Sequence, residues 1–183
     1  EDYSVKPLSK LMDIYYNSVG SNASFLLNIP PNTDGKIAEK EVETLLAMGA
    51  QLEIDFNENL AEGSVIADNR RLDDAHCGQM ALSSDPEEYW HSGDEPDGAE
   101  LILDLTDEFD IDKIVLGEHI RTGQQIEKFS LYAMVNGKWK RLAKETVIGY
   151  KRICRFDEIR ARYFKLVIEK ARCFATISKF EAY

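Results

Sequence analysis

The sequence predicts a mainly β protein: an antiparallel β-sandwich preceded by a helix–strand–helix segment. Three observations carry this. Short alternating runs follow one another from residue 100 to the end. Asn136-Gly137 joins two of them, the strongest short signal for a hairpin. Before residue 57, two stretches of helical periodicity flank one short apolar run.

The elements follow in order. Leu8, Leu11, Met12, Tyr15 and Val19 recur at helical spacing, and Gly20 stands as a stop. Phe25 to Ile29 is broken only by Asn28 and closed by Pro30-Pro31, which predicts a strand buried on both faces, as in a parallel sheet. Asn32-Thr33-Asp34-Gly35 is turn chemistry, with Asp34 the expected stabiliser. Val42, Leu45, Leu46, Gly49, Leu52 and Phe56 make a second amphipathic helix, with Asp13, Glu39, Glu41 and Glu43 on solvent sides. The period then changes. "ELILDL" (100–105), "KIVLGEHI" (113–120), "IEKFSLYAMV" (126–135), "KWKRLA" (138–143), "RYFKLVIEKA" (162–171) and "TISKFEAY" (176–183) read as strands, with no helical period among them. Seven or eight short strands in roughly 125 residues suit a sandwich. Trp90 and Trp139 are expected in its core. The domains are 1–56 and 57–183.

The net charge of −11 is uneven: residues 1–100 carry −15 and residues 101–183 carry +4. The acidic half excludes a phosphate-tracking surface, and the cations of the second half alternate along strands, so nucleic acid is not an expected partner. No apolar stretch approaches the ~18 residues of a membrane span. Cys77, Cys154 and Cys173 form no disulfide framework, and with His76, His91 and His119 as the full set of histidines, no zinc spacing arises. His76 and Cys77 lie in an acidic connector that carries no decisive signal.

Two phrases carry a resemblance. "LMDIYYNSVGSNASFLLNIPPNTDGKI" resembles the last helix–strand–helix of the catalytic (β/α)₈ barrel of glycoside hydrolase family 29 α-L-fucosidases. "GEHIRTGQQIEKFSLYA", "TVIGYKRICRF" and "ATISKFEAY" resemble the C-terminal sandwich of the same enzymes. That sandwich is similar to discoidin (factor 5/8 type C) domains and family 32 carbohydrate-binding modules, a galactose-binding-like jelly roll. The resemblance covers nearly the whole chain. It implies that residues 1–56 are a remnant of the barrel, that Phe25–Ile29 is its eighth strand, and that the rest of the barrel lies upstream. It also implies a bacterial parent acting in the periplasm or outside the cell.

What the resemblance implies for chemistry is a retaining hydrolysis of α-L-fucosides by two carboxyl groups ~5–5.5 Å apart. Both lie upstream in the family, so no catalytic residue is assigned here and the chain alone is expected to be inactive. No cofactor is required. In discoidin-like modules the stretch matching "SSDPEEYWHS" often holds a structural calcium, for which Asp85, Glu88 and Glu181 are the oxygen donors here. The alternative is a calcium-free turn held by local side-chain bonds. Loops at one end of such sandwiches either grip sugar or hold the sandwich against the barrel. The candidates are His91; His119, Arg121, Gln124 and Gln125 in "GEHIRTGQQ"; Tyr150, Lys151 and Arg152 in "IGYKRI"; and Arg172 and Phe174. Barrel contact is the favoured reading. The expected partners are a fucosylated glycan for the parent enzyme, the catalytic barrel, and a second copy through the unpaired barrel strand. A stand-alone carbohydrate-binding module is the alternative, and residues 1–56 argue against it.

Overall fold

The computed structural model describes residues 5–183. They form two compact units, the first ending at Glu58 and the second running from Asn59 to Tyr183.

In the first unit, α1 (Leu8–Ser18) buries Leu11, Met12 and Tyr16. It closes when Gly20 N–H reaches the Tyr15 carbonyl. Helix α2 (Glu39–Asp55) opens with Glu39 and Glu41, whose charges suit the positive end of its dipole. The helices meet through aromatic rings: Phe56 lies 6.4 Å from Tyr15 and 6.3 Å from Tyr16, centroid to centroid. The Tyr16 hydroxyl donates to the Asp55 carboxylate, which also accepts from Gln51 Nε2 at 2.8 Å.

Four expectations for this unit need correction. Residues 25–29 form no strand; they are extended, with Phe25, Leu27 and Ile29 half-buried and Leu26 94% exposed. A strand needs a ladder for its backbone groups, and no described segment of this unit offers one. Helix α2 buries Glu41 and Met48, leaving Val42, Leu46 and Ile54 exposed, because its packing against α1 uses one side of a wide apolar stripe. Glu41 is buried, not solvated, and one carboxylate oxygen has no hydrogen-bond partner. The 32–36 turn is held by Asn32, whose Oδ1 accepts from the N–H groups of Asp34 and Lys36, both at 2.9 Å.

The second unit is an antiparallel sandwich. Its strands are β1 (Val65–Asp68), β2 (Trp90–His91), β3 (Glu100–Gly117), β4 (Ile126–Val135), β5 (Lys138–Glu145), β6 (Arg152–Ala171), β7 (Thr176–Ile177) and β8 (Lys179–Ala182). The larger sheet runs β1-β3-β6-β4-β5, with β8 also on β3; β2 and β7 pair separately. Inward residues of β3 and β6 face one another, Leu101 opposite Leu166 and Leu103 opposite Phe164. With Trp90, Phe129, Leu131, Ile114, Leu116 and Phe180 they fill a fully buried core. The fold is therefore mainly β.

The strands are longer than the sequence runs. The expected 100–105 and 113–120 runs are one strand, β3, and "RYFKL" continues a strand that begins at Arg152. Irregular pairing after Asp104 and again after Ile111 lets β3 bend without ending. At the first of these, Thr106 takes φ 71° while Asp104 accepts its N–H at 2.9 Å. Arg162 holds the same carboxylate through two bonds, at 2.6 and 2.8 Å. These bonds draw the Asp104 carboxyl below its ordinary range. At its other end β3 stops at Gly117, so residues 118–120 belong to a loop. Asn136 and Gly137 make the tight turn with φ 50° and 73°, the mirror-image geometry that suits a hairpin. Trp90 is in the core, its Nε1 donating to the Arg70 carbonyl at 2.9 Å. Trp139 is not: it is half-buried, with the Lys165 ammonium 4.8 Å from its ring centroid. It alternates with exposed lysines on an edge strand, which leaves it on the sheet's outer side.

Candidate functional site

The sequence candidates gather at one end of the sandwich. There β3 gives way to the 118–125 loop, β6 begins after the 147–151 loop, and β7 follows the 172–175 connector. Leu116 lies opposite Arg152, and Ser178 N–H donates to the Gly117 carbonyl at 2.9 Å. Gly117 is required by this crowding: a Cβ there would lie 3.0 Å from the Tyr150 carbonyl oxygen and 3.2 Å from Lys179 Cβ.

The residue that organises this end is one the sequence reading passed over. Glu118 is 2% exposed. Its Oε1 accepts from Gln125 N–H at 2.8 Å and Ile126 N–H at 3.0 Å, and its Oε2 from Gly149 N–H at 2.7 Å. Its own N–H donates to the Gly149 carbonyl at 2.8 Å. A buried carboxylate is tolerated when backbone donors surround it. Here it staples the 118–125 loop to the 147–151 loop. The available signal was a lone acid closing the apolar run "KIVLGE".

Most of the candidate donors are engaged within these loops. Gln125 Nε2 donates to the Thr122 carbonyl at 3.3 Å, and Gln124 is half-buried in the same turn. Arg152 Nε donates to the Val147 carbonyl at 2.9 Å. Arg172 reaches Glu127 at 3.2 Å, and its N–H donates to the Gln125 carbonyl. Arg121 pairs with Glu87 at 2.6 Å across to the 83–89 turn. Lys151 is half-buried, and burial lowers the pKa of its ammonium, with Glu181 opposing the shift. Tyr150 is 71% exposed.

Rings line the other side. Tyr89 stacks on His119 with centroids 4.0 Å apart and planes 7° from parallel. His91 stacks on Phe174 at 4.6 Å, and His76 sits 5.0 Å from Tyr89 and 6.1 Å from His91. The three histidines thus meet in one cluster, although His76 and Tyr89 were not candidates. His119 is buried with neither ring nitrogen hydrogen-bonded.

The structure does not bring the calcium candidates together. Asp85 Oδ1 accepts from Glu87 N–H at 2.9 Å, and the Glu88 carboxylate accepts from the Ser83 hydroxyl, which in turn accepts from Asp85 N–H at 3.1 Å. Glu181 lies on β8, 3.2 Å from Lys179 Nζ. Among the described residues no group of three or more His, Cys, Asp or Glu could hold a metal ion. The turn has the local side-chain bonds of the calcium-free alternative. The buried carboxylate at this end, Glu118, is occupied by three N–H donors.

The fold and this loop end define a discoidin-like β-sandwich. Residues 63–181 match the F5/8 type C domain, and the chain belongs to that family. Residues 1–57 match the alpha-L-fucosidase family. Alpha-L-fucosidase 1 of Arabidopsis thaliana is 33% identical over 186 residues, covering 98% of this chain and 37% of that protein. The crystal structure of SpGH29 superposes with a TM-score of 0.95 at 29% identity, covering all of this chain and 40% of that one. A Ruminococcus gnavus GH29 fucosidase in complex with fucose gives a TM-score of 0.90 at 28% identity, over 98% of this chain and 37% of that one. The chain thus spans well under half the length of these relatives.

Proposed function

We propose that this chain is the C-terminal portion of an α-L-fucosidase whose complete form removes α-linked L-fucose from glycans with retention. The observation that carries this reading is the order of two family matches on one chain, fucosidase at 1–57 and F5/8 type C at 63–181. Whole-chain superposition on GH29 enzymes supports it. Retention needs two carboxyl groups ~5–5.5 Å apart across the sugar. We assign neither to residues 5–183: Glu118 is bound by three N–H groups, and Asp85 and Glu88 are engaged in their own turn.

The role of these residues is scaffolding. The arginines and glutamine that would read sugar hydroxyls already have partners within the loops, which favours a structural loop end, seated against the catalytic barrel, over a sugar-reading one. The 83–89 turn needs no calcium, since its carboxylates are engaged by neighbouring N–H and O–H donors. The parent enzyme acts on fucosylated glycans in the periplasm of a bacterium or outside it. The test is hydrolysis of an aryl α-L-fucoside by the complete protein and by these 183 residues. The complete protein should release the aryl alcohol with α-fucose as first product, and the 183 residues should release none. Hydrolysis by the 183 residues, or none by the complete protein, overturns the reading.

A further inference from the structure

His91 is held by contacts that a proton would undo. Its Nδ1 accepts the Gly93 N–H at 3.0 Å, so that nitrogen carries no proton in the closed form. Gly93 sits at φ 75°, where a non-glycine residue would be strained, and its carbonyl accepts from the Ser92 hydroxyl at 2.9 Å. The ring's faces are taken by Phe174 at 4.6 Å and, edge-on, by His76 at 6.1 Å. Phe174 offers no charge. His76 is tied to Asp73 Oδ1 at 2.7 Å and Asp94 lies nearby in the following turn. The other links at this place do not involve the His91 ring: Ser92 and Ala175 exchange two bonds of 2.9 Å, Leu72 N–H reaches the His91 carbonyl at 2.9 Å, Arg70 donates to the Glu95 carbonyl at 2.7 Å, and Asp73 accepts from His76 N–H at 3.0 Å.

We propose that the His91–Gly93 link is an acid-sensitive latch: a proton taken up by His91 Nδ1 breaks its bond to Gly93 and loosens the turn at Gly93, while Asp73–His76, Arg70–Glu95, Ser92–Ala175 and the core strands stay closed. The sign follows from the surroundings. Burial, then repulsion from His76, hold the His91 pKa below its ordinary 6.5, and Asp94 and Asp73 oppose this only partly. The closed form therefore binds fewer protons than the open one. Closure is strongest above the ordinary histidine value and weakens as pH falls below it. This rests on the sandwich alone and does not require the fucosidase reading.

The experiment follows amide exchange segment by segment on the 183-residue chain, normalised to unstructured peptide, at pH 7.5 and 5.0. Exchange at Gly93 should rise at the lower pH, with 73–76, β4 and β6 unchanged. His91→Gln keeps an acceptor but no titration, and should flatten that response. Proton NMR of the unaltered chain gives a second readout, independent of any variant: the His91 ring and Gly93 amide should titrate together with a midpoint below 6.5, and His76→Gln should move that midpoint up. Flat exchange in the wild type, a response retained in His91→Gln, equal loosening of β4 and β6, or a Gly93 amide that ignores the His91 titration would each overturn the proposal.

Discussion

Single residues decide the loop end, and Glu118 most of all. Glu118→Ala leaves three buried N–H groups without an acceptor, and should lower unfolding stability by about 2–4 kcal/mol in urea titration. A loss under ~0.5 kcal/mol would mean the two loops hold each other by other means. The cysteines give a second residue-scale test. Cys154 is buried and its thiol is pushed up to about 12, chiefly by burial, whereas Cys173 is exposed. Native protein at pH 8 should therefore alkylate at Cys173 and leave Cys154 intact until unfolded; mass mapping of labelled peptides reads this directly. The turn at 83–89 gives a third: millimolar calcium, then chelator, should leave the thermal midpoint unchanged, and a rise with calcium would restore Asp85, Glu88 and Glu181 as donors. The sequence made the loop residues legible as a group, through two phrases, but not their wiring. A carboxylate's role depends on which backbone N–H groups surround it, and one of these comes from Gly149, 31 positions from Glu118.

At the scale of elements, the long strands are the instructive case. The alternation of "ELILDL" and "KIVLG" was readable, but not that one strand contains both, because Thr106 to Glu108 breaks the pattern with exposed polar residues. The bend there is held by Asp104, Arg162 and a left-handed Thr106. A β-branched residue at that φ is strained. Thr106→Gly should therefore raise stability by roughly 1 kcal/mol, measured by denaturant midpoint at constant slope; a loss would show that the threonine side chain contributes more than its backbone costs. The hairpin was legible to the residue because Asn-Gly prefers this turn geometry intrinsically. Residues 25–29 were misread for the opposite reason. Apolar content predicts a wish for cover, but a ladder needs a second strand, which local sequence does not contain.

For the molecule as a whole, two units of different character share one chain. The first is a helix pair with apolar side chains left exposed, Leu26, Leu46 and Ile54 among them. The second has a closed core and a loop end whose polar groups are mostly bound to one another. Loops whose polar groups already bond one another gain little from a small hydroxylated ligand, which would compete with bonds already made. The claim that this chain supports a fucosidase without reading sugar is tested most directly by titration calorimetry against fucose, galactose and a fucosylated oligosaccharide, in calcium and then in chelator. No saturable heat is the predicted result under every condition. Saturable heat with any of the three would contradict it, and would make the loop end a working carbohydrate site.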